Sequence, residues 1–165
     1  MARKKGKHKK DETAVSKDGE RVVLATNRRA FRNYVINVKV EAGLMLRGSE
    51  VKSLRVQTPT IAEGYARMKG EELFLEGINI LPLKQASYQN HEPTRSRKCL
   101  LHKKELRKVK TLLEAQGATM VPLQLYFKGP YVKVELGIGK GRRKGDKREY
   151  EKAKSAKREI REAKR

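Results

Sequence analysis

Thr119-Met-Val-Pro-Leu-Gln-Leu-Tyr-Phe-Lys128, then Gly129-Pro130, then Tyr131-Val-Lys-Val-Glu-Leu-Gly-Ile138 is the stretch on which the fold turns. In its first half Val121, Leu123, Leu125 and Phe127 recur at every second position, with Met120, Gln124 and Tyr126 on the other face. In its second half Val132, Val134, Leu136 and Ile138 alternate with Lys133 and Glu135. Alternate side chains of a strand point to opposite faces, so a period of two predicts two half-buried strands. Lys128-Gly129-Pro130 supplies the turn between them.

Working outward, Tyr34, Ile36, Val38 and Val40 alternate with Val35, Asn37 and Lys39, which predicts another half-buried strand. Gly43 is expected to interrupt it, with Leu44-Met-Leu46 resuming. Glu50-Val-Lys-Ser-Leu-Arg-Val56 reads as a short helix capped by Ser49 and stopped by Pro59. Tyr65–Met68 and Glu72–Leu75 make a hairpin around Lys69-Gly70-Glu71, and Gly77–Leu81 reads as a further strand. Residues 84–98 form a long polar connection, and loops of that length tend to carry a function. A helix is expected over about 101–116, with Leu106, Val109, Leu112 and Leu113 as its apolar stripe and Gly117 as its stop. Strands dominate and no strand–helix–strand rhythm appears. The predicted class is mainly β: a small antiparallel barrel with two or three flanking helices.

Charge narrows the function. The 165 residues hold 41 Lys+Arg against 19 Asp+Glu, a net +22 that attracts polyanions. At 37% hydrophobic residues there is material for one modest core. Residues 1–10 contain six Lys/Arg and no acid, and residues 140–165 contain thirteen against five. This divides the chain into a basic extension over 1–19, expected to be disordered, a basic globular body over 20–139, and a basic tail over 140–165. No apolar run reaches the roughly 18 residues of a membrane span, so no membrane partner is expected. The charged N-terminus has no apolar stretch behind it and does not read as a secretion signal. One cysteine, Cys99, fits a reducing compartment and reads as a small buried residue at the entry to the helix.

No catalytic set emerges. Gly137-Ile-Gly139-Lys-Gly141 lacks the spacing of a phosphate loop and reads as a flexible exit from the last strand. His91 and His102 are too scattered to pair as acid and base, and with one Cys they make no metal cluster. Phe31 and Tyr34 lie among Arg28, Arg29 and Arg32, which suits either base stacking or a place in the core. Glu41 is open to two readings: an ion pair with a neighbouring Lys or Arg, or an acceptor for base amino groups or ribose hydroxyls.

From Asp146 to Arg165 the chain has neither Gly nor Pro. Asp146 and Glu149 resemble a capping pair. Tyr150, Ala153, Ala156, Ile160 and Ala163 form one thin stripe at helical spacing. Only Tyr150 and Ile160 bring large apolar area, so this segment is expected to be loose alone and helical against a partner rich in phosphate.

Taken together, Asn27-Arg-Arg-Ala-Phe31, Tyr34, Glu41-Ala-Gly43, Gly48-Ser-Glu-Val-Lys-Ser-Leu-Arg55, Pro93-Thr-Arg-Ser-Arg-Lys98, Leu100-Leu-His102, Val121–Lys128 and Gly139 through Arg148 resemble the SsrA-binding protein (small protein B) family, from about residue 20 to the end. The resemblance implies an oligonucleotide-binding-like barrel with no enzymatic activity and no cofactor. It implies binding to the tRNA-like domain of transfer-messenger RNA and its delivery to bacterial ribosomes stalled on messages without a stop codon, for trans-translation, which tags the nascent peptide and ends translation. Such a protein is expected to be cytoplasmic and monomeric, with its tail helical in the mRNA channel near the small-subunit decoding centre. By position, Asn27, Arg28, Glu41 and Leu100 match family RNA-binding residues. Lys52, Arg55, Arg97, Lys98 and Lys140 lie in matched basic motifs and are assigned to RNA as well. Asp146, Lys147 and Arg148 match the tail triplet required for tagging, and Tyr150 and Ile160 are assigned with them to the decoding-centre tail. Where family members often place His or an aromatic before that triplet, this chain has Gly145. The competing reading is a basic structural ribosomal protein, which predicts presence on every ribosome instead of enrichment on stalled ones.

Overall fold

The hairpin of residues 119–141 is the spine of a closed β-barrel. The computed structural model describes residues 21–83 and 90–163, and the expected N-terminal extension over 1–19 lies outside them. In chain order the elements are β1 (Arg21–Thr26), α1 (Arg28–Asn33), β2 (Tyr34–Leu44), α2 (Gly48–Val56), β3 (Tyr65–Lys69), β4 (Glu72–Glu76), β5 (Arg97–Leu100), α3 (Lys103–Gln116), β6 (Thr119–Lys128), β7 (Tyr131–Gly141) and α4 (Lys144–Ala163). All pairings between these strands are antiparallel. The order β6-β3-β4-β5-β2-β7 closes on itself through β6–β7, and β1 adds to the free edge of β6. The ring is completed by short contacts, two residue pairs between β2 and β5 and one between β3 and β6, as a small mainly β barrel requires.

Two β-bulges correct the expected alternation. In β6 the register against β7 slips between Pro122 and Gln124, and in β2 it slips between Ile36 and Val38. A bulge inserts one unpaired residue and exchanges the faces of everything beyond it. Leu125 and Phe127 therefore enter the barrel core with Val132, Val134, Leu136 and Ile138, whereas Val121 and Leu123 point outward. Outside the barrel they meet Ala30 of α1 and the half-buried Phe31, Tyr34 and Ile36 in a second small core. This places Phe31 and Tyr34 under packing, not on a free stacking platform.

Other local expectations are also revised. β2 runs unbroken through Gly43 to Leu44. Residues 77–81 form no strand; a single bridge, Thr60 to Asn79, replaces it, although Ile78 and Ile80 are buried. The missing strand is β5, which begins in the last two residues of the connection expected over 84–98 and takes Cys99 into the core. Burial pushes the Cys99 thiol up to about 12. The N-cap position of α2 is Arg47, not Ser49: the Glu50 carboxylate accepts from the Arg47 N–H at 2.7 Å. α3 ends as expected at Gly117, whose φ of 54° is left-handed.

The glycines of residues 137–141 are strand, not a flexible exit. A Cβ at Gly139 would lie 2.0 Å from the Val35 carbonyl oxygen on the paired strand. Gly139→Ala is therefore expected to separate β2 from β7 and destabilise the fold by at least the roughly 1–3 kcal/mol of an overpacked core, read from urea unfolding.

α4 is helical in the chain by itself, with Asp146 in its first turn and an Arg158–Glu162 pair at 2.8 Å one turn apart. It begins at Lys144, two residues before the expected cap. Asp146 is the third helical residue and accepts from the Arg143 N–H at 3.1 Å. Among the described residues few polar contacts hold α4, and they run to α1 and to the link before α4: Arg32 Nε to Glu151 at 2.6 Å, and the Arg142 guanidinium 4.7 Å from the Tyr150 ring centre. Ile160 is 57% exposed, so among the described residues this part of the stripe is largely uncovered.

Candidate nucleic-acid interface

Strand pairing brings Glu41 and Leu100 together. Gly43 lies opposite Leu100 in the β2–β5 register and opposite Lys133 in the β2–β7 register. Glu41, two residues before Gly43, shares its outward face. With Leu101, His102 and Glu105 from the start of α3, these residues line a depression of about 440 Å³. Gly43 keeps it open: a Cβ there would press to 3.3 Å on the Leu100 side chain. Leu100 is 48% exposed, an apolar group offered to solvent at the edge of a charged site. On its other side Leu100 lines a groove of about 480 Å³ with Lys98, Lys103 and Arg107.

The Glu41 carboxylate is held by cations. Lys133 Nζ donates at 2.5 Å, Tyr126 Oη donates to the second oxygen, and Lys128 Nζ stands at 3.7 Å. The Lys133 hydrogen bond, followed by that of Tyr126, lowers its pKa to about 2 against the resistance of desolvation. The ion-pair reading of Glu41 is thus realised, and it leaves the acceptor reading standing. The Glu41 side chain is still 40% exposed, and ion pairs at that exposure contribute about 0–1 kcal/mol, so an incoming donor competes readily.

The remaining expected residues divide by burial. Arg28 is exposed at the start of α1, Lys52 and Arg55 are exposed on α2, and Lys140 is exposed on β7. Lys98 pairs with Glu72 beside Leu100. Asn27 is buried: its Oδ1 accepts from the Ala30 N–H at 3.1 Å and its Nδ2 donates to the Pro122 carbonyl at 3.0 Å. It caps α1, at whose first position Arg28 is exposed.

Arg97 corrects the assignment most plainly. It is fully buried, and its guanidinium donates to Glu50 Oε1 at 2.8 Å and to the carbonyls of Ile78, Pro93 and Arg95. A side chain with its donors spent in this way has nothing to offer RNA. Sequence reasoning missed Lys133, Lys128, Tyr126 and His102 as neighbours of Glu41. Lys133 carried a signal, its outward place in the hairpin alternation; Tyr126 carried none.

The two described histidines hold local structure. His91 is buried between the Ile80 carbonyl (Nε2, 2.9 Å) and Ser49 Oγ (Nδ1, 3.1 Å), and His102 occupies the N-cap of α3. Among the described residues no group of three His, Cys, Asp or Glu is placed to hold a metal, and no helix is long and apolar enough to cross a membrane. In the tail, Asp146 and Arg148 are exposed and Lys147 half-buried on the first turns of α4, while Tyr150 faces Arg142.

Comparison with known proteins agrees with this geometry. The family model described as SmpB protein matches residues 24–165. A relative from Geobacillus thermodenitrificans, named SsrA-binding protein, is 44% identical over 145 residues, covering 88% of this chain and 94% of its own. A second of that name, from Prochlorococcus marinus strain MIT 9301, is 44% identical over 156 residues, covering 94% and 95%. A chain of the solved structure described as "tmRNA-SmpB: a journey to the center of the bacterial ribosome" superposes with a TM-score of 0.62 at 42% identity, covering 78% of this chain and 94% of that one. With the barrel, the Glu41–Leu100 depression and a family match over most of its length, this chain belongs to the SmpB family.

Proposed function

We propose that this chain is an RNA-binding adaptor of trans-translation. It binds the tRNA-like domain of transfer-messenger RNA and delivers it to stalled bacterial ribosomes. The observation that carries the reading is the meeting of Glu41 and Leu100 in one open depression on a chain of net +22. Leu100 offers apolar area to a sugar or base, and Glu41 accepts from a base amino group or a ribose hydroxyl, a contact that distinguishes RNA from DNA. Arg28, Lys52, Arg55, Lys98 and Lys140 are proposed to meet phosphates. Arg97 and Asn27 support that surface from below. The work is binding and not turnover, carried out as a monomer in the cytoplasm where ribosomes act, with no cofactor.

The tail over 140–165 is proposed to enter the mRNA channel and reach the decoding centre. Its thirteen cations suit a phosphate-lined passage, and the stripe carrying exposed Ile160 suits burial there. Because few contacts tie α4 to the barrel, its pose is proposed to be set on the ribosome. With Gly145 before the triplet, no side chain stacks from that position, and Tyr150 is already occupied by Arg142.

Pulling the chain from a bacterial lysate and sequencing the bound RNA tests the reading. One dominant RNA with a tRNA-like end is expected, and an even sampling of ribosomal RNA would favour a structural ribosomal protein. In a direct titration Glu41→Ala should weaken binding of the tRNA-like domain about tenfold or more, the loss of a hydrogen bond to a charged group. Binding by either chain should fall steeply with added salt, since phosphate contacts release counterions.

A further inference from the structure

Tyr126 stands on the outer face of the barrel and is nevertheless only 1% exposed. It belongs to neither hydrophobic core. Charged side chains bury it. In the β1–β6 register Arg21 and Val23 lie opposite Lys128 and Tyr126, so Arg21 shares the Tyr126 face. The Arg21 guanidinium covers the ring at 3.7 Å from its centre and is itself anchored by a hydrogen bond to the Gln124 side chain. In the β6–β7 register Tyr126 is opposite Lys133. The phenol hydroxyl donates to Glu41.

We propose that Tyr126, clamped beneath Arg21, is a positioning residue of the RNA site: it fixes the orientation of the Glu41 carboxylate so that its exposed edge faces an incoming donor. The proposal rests on the RNA-binding reading above and adds a residue to it. A glutamate side chain has three rotatable bonds and freezing them costs free energy at the moment of binding. Lys133 and Lys128 draw the carboxylate by charge but are themselves flexible. The buried phenol is a fixed donor, and burial together with the hydrogen bond to Glu41 raises its pKa, so it keeps its proton. The cation over its face holds the ring in place. Preorganisation of this kind converts directly into affinity.

The test is Tyr126→Phe, which removes the hydroxyl and keeps the ring. Glu41 is faced by Tyr126 and Lys128 from β6, Lys133 and Glu135 from β7, and His102 and Glu105 across the depression, with Arg21 of β1 beyond the Tyr126 ring. Carbon-13 NMR of its carboxyl without RNA is expected to show the titration move up from about 2 towards 4.5 in Tyr126→Phe. Affinity for the tRNA-like domain should fall about tenfold. Placed on Glu41→Gln, Tyr126→Phe should add nothing. Arg21→Met, at an exposed position, gives a second variant if the first fails to fold. It should weaken RNA binding in the parent chain and have no further effect beside Glu41→Gln. An unchanged Glu41 titration, or losses that multiply in the double variants, would overturn the proposal. Should the parent chain show no preference for the tRNA-like RNA, the functional reading fails, while the titration still decides whether Tyr126 orders Glu41.

Discussion

Replacing Glu50 by glutamine is expected to cost about 3–5 kcal/mol of stability, the penalty for stranding a buried charge. Glu50 is fully buried near the start of α2, and Arg97 is fully buried in β5. The carboxylate accepts from Arg97 Nε at 2.8 Å, from Arg95 Nε at 3.0 Å and from the Arg47 N–H at 2.7 Å, so one side chain ties α2 to β5 and to the loop before it. Glutamine preserves the shape and removes the charge, leaving the Arg97 guanidinium in the interior without a counterion. Thermal and urea unfolding measure the loss, and for a chain of this size it should lower Tm by roughly 10 °C. Glu50→Gln with Arg97→Met should recover part of it, because removing both charges is far less costly than removing one. An unshifted melting curve would mean that water reaches the pair.

The same pair predicts an acid limb. Burial pushes the Glu50 carboxyl up, but hydrogen bonds from Arg95 and Arg47 and the charge of Arg97 outweigh it, so its pKa lies below the ordinary 4.5. A depressed carboxyl contributes stability that is complete above the unfolded value and is lost as pH falls through the folded one. The parent chain should therefore weaken on acidification below about pH 4.5, and Glu50→Gln should flatten part of that slope. Glu41 and Glu76, each lowered to about 2, leave a residual slope in the variant.

Changing Asp146, Lys147 and Arg148 together to alanine is expected to abolish peptide tagging while leaving affinity for the tRNA-like domain within about twofold. The triplet lies on the first turns of α4, beyond the last strand, and none of it lines the Glu41–Leu100 depression. Asp146 has a local role as well, capping α4 through the Arg143 N–H, and its loss should fray the first turn at a cost of about 1 kcal/mol. Asp146→Asn, which retains an acceptor for that N–H, separates the cap from the charge: it should keep helicity by circular dichroism whatever it does to tagging. If the triple change reduced RNA binding as strongly as Glu41→Ala, the division between a gripping barrel and a ribosome-directed tail would fail.

Local chemistry made the elements legible. The alternation of Val132 to Ile138, the turn at Gly129 and the stripe of α3 with its stop at Gly117 appear in the structure where short-range sequence signals put them, and α4 extends two residues upstream of its Gly-free run, through Gly145. Charge and its placement pointed to an anionic partner, because net charge does not depend on folding. Long-range pairing remained hidden. Arg97 looked like one more basic residue of a polar loop, since its counterion, Glu50, is 47 positions away. The bulges at Pro122/Gln124 and Ile36/Val38 broke a face assignment that a strict period of two required. Tyr126 read as an alternating strand residue; its burial under Arg21 arises from the register of β1 on β6, and its hold on Glu41 from the registers of β6 and β2 on β7.

By itself, then, the order of residues determined a basic, mainly β RNA-binding class with a helical tail, because periodicity, turn propensity and charge are properties of neighbours. Tertiary structure alone decided which cations face outward, which are spent in the interior, and that Glu41 and Leu100 share one depression. The physical reason is that strand register and barrel closure set those distances, and desolvation then determines whether a charge pairs inside or stays available to a ligand.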